Sequence, residues 1–217
     1  MKGEELRRDL ELWGITGCIA AGKSRVADWL HRHGGVPLIN VDLLGRSLLQ
    51  PGAEGYFAMV ERYGSRFLEP SGLLDRLSLR KELFADPELK GGVEALLHPL
   101  IRQAMLAEAE RLAQAGQKAV WVEVPLLYEA GWEGDFSLVI AVTATREQCL
   151  ERLRRRDGVS LGEAREALLA RFSQQELVAR ADVVVDNSGS WKRTKGQLKA
   201  LLDKLQLRKS EGWLENP

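Results

Sequence analysis

Residues 12–24 read Leu12-Trp13-Gly14-Ile15-Thr16-Gly17-Cys18-Ile19-Ala20-Ala21-Gly22-Lys23-Ser24. The first five suit a short buried strand, and the last eight match GxxxxGK[ST]. That pattern has a physical logic. A loop that wraps a phosphate needs glycines, whose backbone torsions and close approach a side chain would block. Successive N–H groups then point inward, and the following helix adds its positive N-terminal end. Lys23 directs a charge at the β- and γ-phosphates, and the Ser24 hydroxyl is a candidate magnesium ligand. A glycine-rich turn matching by chance would need neither a strand before it nor a helix after it. Here Leu12–Thr16 precedes the loop, and the amphipathic run Val26-Ala27-Asp28-Trp29-Leu30 follows it. Gly17, Ala20, Ala21, Gly22, Lys23, Ser24 and Arg25 are therefore the candidate nucleotide-binding set. Cys18 reads as a tolerated small residue at a variable loop position rather than a redox group.

Outward from the loop, five apolar runs read as strands: Leu12–Thr16, Val36–Asn40, Ala119–Pro125, Phe136–Thr143 and Asp182–Asp186. Three are rich in Val and Ile with little alternation, as in strands covered on both faces. Helical stretches separate them, so the expected class is α/β: a P-loop NTPase of nucleoside-monophosphate-kinase-like shape with a five-stranded parallel sheet and right-handed crossovers. Gly34-Gly35 ends the first crossover helix. Between Asn40 and Ala119 lie 78 residues, far more than a crossover requires. This insertion reads as helical. Asp86-Pro87-Glu88 is an N-cap with proline at the first helical position, and Leu96, Leu97, Leu100, Ile101, Met105 and Leu112 keep helical spacing. Thr145 to Gln148 and Ser160 to Glu163 are capping boxes. They predict helices at about 146–156 and 161–180, joined at Asp157-Gly158. The expected organisation is a nucleotide-binding core (12–42, 114–145, 181–206), a helical acceptor-binding insertion (43–113), a lid hairpin (146–180) and terminal extensions (1–11, 207–217). The polar stretch from Arg208 to Pro217 is expected to fray.

The 217 residues include 31 Lys+Arg and 31 Asp+Glu, so the formal net charge is zero. A nucleic-acid partner is not expected, because such proteins carry a basic excess. Cys18 and Cys149 lie far apart and make neither a disulfide framework nor a zinc site. No apolar run is long enough for a membrane helix, and the charged first ten residues do not resemble a signal peptide. A soluble cytoplasmic protein is the expectation, with a monomer as the default. The tryptophans, including Trp13, Trp29, Trp121 and Trp132, read as packing residues.

Two classes of P-loop protein compete. Asp42-Leu43-Leu44-Gly45 matches the DxxG pattern of nucleotide-dependent switches, but so does Asp186-Asn187-Ser188-Gly189. The Asn-Lys-x-Asp tetrapeptide that selects guanine is absent. A long insertion after the second strand and an arginine-rich segment late in the chain suit a small-molecule kinase, to which they supply an acceptor pocket and a lid. The sequence resembles the dephospho-CoA kinase family from about Gly14 to Leu205. The resemblance rests on Gly14–Ser24, Ile39–Arg46, Leu74-Asp75-Arg76, Leu96-Leu97-His98-Pro99-Leu100-Ile101-Arg102, Val124-Pro125-Leu126-Leu127-Tyr128-Glu129 and Val185-Asp186-Asn187-Ser188-Gly189. The second-strand motif has Asn40 where the family usually has Asp. Arg25 follows the loop serine where Thr is usual, and Arg171-Phe172-Ser173 replaces a common Gln-Met-Pro stretch.

The resemblance implies ATP as donor, magnesium as cofactor and dephospho-CoA as acceptor, phosphorylated at its ribose 3′-hydroxyl to give coenzyme A. A kinase of a nucleoside monophosphate or another small metabolite is the nearest alternative, and an NTP-binding switch is the alternative of another class. Asp42 lies just past the second strand, where ligands bind in open α/β sheets. The resemblance makes it the base that receives the hydroxyl proton, against a plain helix-capping role. Lys23 is the other catalytic candidate. Arg46 is one helical turn beyond Asp42 and shares its face, as either an acceptor contact or a solvated arginine. His98 and Arg102 are likewise four apart. The resemblance puts them beside the acceptor, where a guanidinium grips a pyrophosphate bidentately. Arg152 and Arg156 share a face as lid arginines over the nucleotide or as a solvated charged surface. Asn187 is expected to pass the adenine, and Glu123 either assists magnesium through water or is structural.

Overall fold

The computed structural model describes residues 10–169 and 173–210, with side chains to residue 206. It divides into two compact units, one built from the chain up to Ile39 and from Ala113 onward, the other from Asn40–Leu112.

The first unit is built on five strands: β1 (Glu11–Gly17), β2 (Leu38–Asn40), β3 (Ala119–Glu123), β4 (Leu138–Thr143) and β5 (Val183–Asp186). Their order is β2-β3-β1-β4-β5, and the β1–β3, β1–β4 and β4–β5 ladders are parallel. Every residue of β3 and β4 is buried, the reason these runs show no polar alternation. One face carries Trp13, Ile15, Trp121, Ile140 and Val142. It is covered by Val26, Ala27 and Leu30 of α1 (Lys23–Gly34) and by Leu198, Leu201, Leu202 and Leu205 of a C-terminal helix that begins at Trp191. Trp13 and Trp121 are register partners, and their ring centroids lie 4.7 Å apart. On the other face Leu127 and Phe136 press against Gly14, at 2.9 and 3.1 Å from where a Cβ would stand. A larger residue in that strand would displace both.

The second unit is helical, as the spacing predicts: α2 (Val41–Leu48), α3 (Glu54–Tyr63), α4 (Arg76–Ala85) and α5 (Pro87–Gln114, whose last two residues belong to the first unit). Met59, Phe67, Leu74, Leu79, Leu89, Val93 and Leu97 form its core. Asp86 caps α5 by accepting from the N–H groups of Glu88 and Leu89, both at 3.0 Å, with Pro87 first in the helix. Pro99 removes one internal hydrogen bond from α5, yet the helix runs on through it.

Back in the first unit, α6 (Arg146–Asp157) opens on the Thr145 capping box and ends at Gly158, whose φ is 69°. The helix expected over 161–180 is instead two: α7 (Leu161–Leu169) and α8 (Gln174–Arg180). Ser173 and Glu176 form a further capping box that starts α8 as a separate element, so the hairpin of the sequence reading is a three-helix segment. The C-terminal helix, α9 (Trp191–Ser210), continues into the stretch expected to fray. The remainder of that stretch, 211–217, the first nine residues and Arg171-Phe172 lie outside the described residues. Among the described residues no helix is long and apolar enough to cross a membrane.

Candidate functional site

The strand order places β1 between β3 and β4, so the chain leaves β1 at the point where the sheet's connections diverge to opposite sides. Crevices at such points are where open α/β sheets hold ligands. The loop that fills this position uses left-handed backbone at Gly17 (φ 147°), Ala20 (φ 58°) and Gly22 (φ 100°). Gly17 and Gly22 also have no room for a side chain: a Cβ would overlap the carbonyl of Val142 at Gly17 and the Asn187 amide at Gly22. Ala20 is the one described non-glycine residue with positive φ, a strained torsion kept at a phosphate-type loop.

Gly22 caps α1 without a side chain, which leaves the first N–H groups of the helix open to an anion. Lys23 Nζ donates to the carbonyls of Gly17 (3.1 Å) and Cys18 (3.0 Å), so the ammonium is folded back into the loop. Ser24 Oγ donates to Glu123 Oε1 at 2.6 Å. Glu123 is only 4% exposed, and it ends β3 as the register partner of Ile15. A hydroxyl bound to a buried carboxylate is an all-oxygen pair suited to a hydrated hard cation, which takes few protein ligands beside substrate phosphates. The cleft beside the loop, about 350 Å³, is lined by Gly17, Cys18, Lys23, Pro125, Glu129 and Leu177. Burial pushes the Cys18 thiol up, against the opposing pull of Lys23, so it rests protonated at neutral pH.

The exit of β5 is fastened to the loop. Asn187, 6% exposed, donates through Nδ2 to Ala21 O at 2.7 Å and accepts through Oδ1 from Thr194 at 3.1 Å. Arg152 spans both elements, donating to Ala21 O (3.3 Å) and Asn187 O (3.1 Å). Asp186 accepts from Ser188 N at 2.9 Å, which holds its carboxyl below the usual range. The second DxxG match is thus a side-chain-capped turn. Arg156, on the same helix as Arg152, is turned onto Asp157 (2.7 and 3.0 Å), so the structure brings Arg152 to the loop and Arg156 to its neighbour.

In the helical unit, Asn40 is the N-cap of α2, accepting from Leu43 N at 2.9 Å. An Asn serves this role as well as Asp. Asp42 is therefore an exposed first-turn residue rather than the cap, with exposed Arg46 one turn later. Arg76, capped into α4 by Asp75, donates to Arg46 O at 3.0 Å. His98 is half-buried on α5, and burial lowers its pKa against the opposing charge of Glu94. Arg102 lies one turn further on, exposed.

A phosphate loop with its lysine, serine and buried carboxylate, set on this strand order, defines a P-loop kinase fold. The Dephospho-CoA kinase family profile matches residues 12–193. A dephospho-CoA kinase of Anaeromyxobacter dehalogenans is 40% identical over 89% of this chain and 91% of its own. One from Geobacillus kaustophilus is 36% identical over 87% and 94%. A crystal structure from Thermus thermophilus superposes with a TM-score of 0.75 at 33% identity, over 90% of this chain and 97% of that one. A dephospho-CoA kinase structure from Campylobacter jejuni shares the fold with a TM-score of 0.64. The chain belongs to the dephospho-CoA kinase family.

Proposed function

We propose that this chain transfers the γ-phosphoryl group of ATP to the ribose 3′-hydroxyl of dephospho-CoA, forming coenzyme A in the final step of its synthesis. The observation that carries the reading is family membership over residues 12–193 in a chain whose phosphate loop keeps Lys23 and Ser24. Phosphoryl transfer passes a loose transition state, so the protein mainly positions groups and balances charge. The main chain of Gly17, Ala20, Ala21 and Gly22 cradles the phosphates, and Lys23 exchanges the carbonyls of Gly17 and Cys18 for phosphate oxygens. Ser24 would hold magnesium and Glu123 would support it through water, and the bound ion would neutralise charge on the phosphate oxygens. Asp42 orients the acceptor hydroxyl and takes its proton late in transfer. Arg46, His98 and Arg102 hold the acceptor, with the planar fork of Arg102 on its pyrophosphate.

In this reading residues 43–113 form the acceptor side and 146–180 the lid. Arg152 closes with the lid, Arg156 leaves Asp157 to join it, and the main chain of Asn187 flanks the adenine. The protein works as a cytoplasmic monomer. Binding energy from the pantetheine arm fixes the hydroxyl in line, so acceptors without the arm react poorly. An ADP-release assay with dephospho-CoA, AMP, CMP, dTMP and adenosine at equal concentration, with GTP as control donor and product identification by mass, tests this. Dephospho-CoA should give the highest kcat/KM. A monophosphate that reacts better, or phosphate at any position other than the ribose 3′ oxygen, would overturn the acceptor assignment.

A further inference from the structure

Arg25 stands in the first turn of α1, directly after Ser24, and that turn carries no acidic residue. A cation there is opposed by the positive end of the helix. The basic residues of the last turn, His31, Arg32 and His33, are on the favourable side. Arg25 is exposed, and among the described residues its guanidinium makes no hydrogen bond or ion pair. Its contact is aromatic: the guanidinium carbon lies 4.0 Å from the centroid of the Trp191 ring. Trp191 opens α9, is half-buried and packs against the sheet core. The turn before it is tied to the phosphate loop by the Asn187–Ala21 and Arg152 hydrogen bonds. The turn that carries the indole is thereby tied to the loop, and the guanidinium rests over the indole.

We infer that Arg25 is a direct contact to the polyphosphate of the nucleoside triphosphate donor, and that Trp191 is the positioning residue that holds its fork at the loop. The inference deepens the nucleotide-binding reading above and rests on it. The aromatic contact engages the guanidinium without a hydrogen-bond acceptor, so its paired N–H donors remain available for phosphate oxygens. An arginine already confined by an indole loses less freedom when the anion arrives. The bound phosphates supply the negative charge that makes a cation in the first turn favourable.

The test measures affinity for a non-hydrolysable ATP analogue by calorimetry, without acceptor, alongside the KM values for ATP and for dephospho-CoA. Arg25→Ala and Trp191→Ala should each weaken the analogue and raise the ATP KM roughly tenfold, the scale of a charge-assisted contact. The acceptor KM should stay within about twofold, since α1 and α9 are not assigned to the acceptor. The double variant should be little worse than either single one. Trp191→Phe should restore most of the affinity, and Trp191→Leu should not. Arg25→Lys should fall between wild type and Arg25→Ala, keeping charge but losing the fork. Wild-type analogue affinity in Arg25→Ala would overturn the proposal. So would equal rescue by Trp191→Leu and Trp191→Phe, or a lowered melting temperature in Trp191→Ala with affinity intact. Because the affinities are read without acceptor, they stand apart from the acceptor assignment, which the product assay decides.

Discussion

Lys23 rests on the carbonyls of Gly17 and Cys18, already within the loop it serves. Its removal should cost phosphoryl transfer and little else. Lys23→Ala is expected to lower kcat/KM by roughly 10²-fold or more, the scale of losing one charge-stabilising donor, with melting temperature close to wild type. Near-normal turnover would refute its role. Asp42, exposed on the first turn of α2, is expected to act in the chemical step. Asp42→Asn should lower kcat by about 10²-fold or more with little change in the ATP KM. Unchanged kcat with weakened ATP binding would instead assign Asp42 to the nucleotide. The positions of Lys23 and Ser24 in the loop were legible because the motif is local. Glu123 could be read as an acid at a strand end, assisting magnesium through water or structural, but its hydrogen bond to Ser24 could not, since the two are 99 residues apart.

The segment from α6 to α8 shows what local signals can and cannot say. Two capping boxes placed the starts of α6 and α7 correctly, because a cap is a contact across three residues. The third box, Ser173 to Glu176, was equally present in the sequence, yet no glycine or proline marks the break before it. Its effect is mechanical. Leu177 of α8 is 4% exposed, and Arg180 pairs with Glu133 at 2.9 Å and lies over Tyr128, so α8 is fastened to the body of its unit. α7 is more loosely held, with Ala164 its one buried residue. Lid closure should therefore fall on α7 more than on α8. Hydrogen exchange measured with an ATP analogue plus acceptor should slow across 158–169 relative to the free protein, and change less across 174–180. Equal exchange in all states would count against a lid.

For the molecule as a whole, the buried sheet core carries a titratable thiol that links stability to pH. Cys149 is 1% exposed in that core, and burial, aided by the neighbouring Cys18 thiol, pushes it up from 9.0 to about 11. A raised folded pKa means the contribution is fully present below pH 9. It is lost as pH rises towards 11, because the unfolded chain releases the proton first. The melting temperature should fall more steeply between pH 9 and 11 in wild type than in Cys149→Ala. Parallel slopes would show that the thiol does not govern this loss.

From the chain alone one reads the phosphate loop, the α/β class, the helical character of the insertion and the starts of α1, α5, α6 and α7. Each rests on neighbours in the chain: glycines for torsion, caps for orphan N–H groups, apolar runs for strands covered on both faces. The strand order β2-β3-β1-β4-β5, the pairing of Ser24 with Glu123, the bridge from Asn187 to Ala21 and the contact of Arg25 with the Trp191 ring appear only in the folded chain. Those partners are separated by 99, 166 and 166 residues. No spacing rule links them, and they meet because burying both faces of one sheet forces its strand ends, and the loops they carry, to one edge.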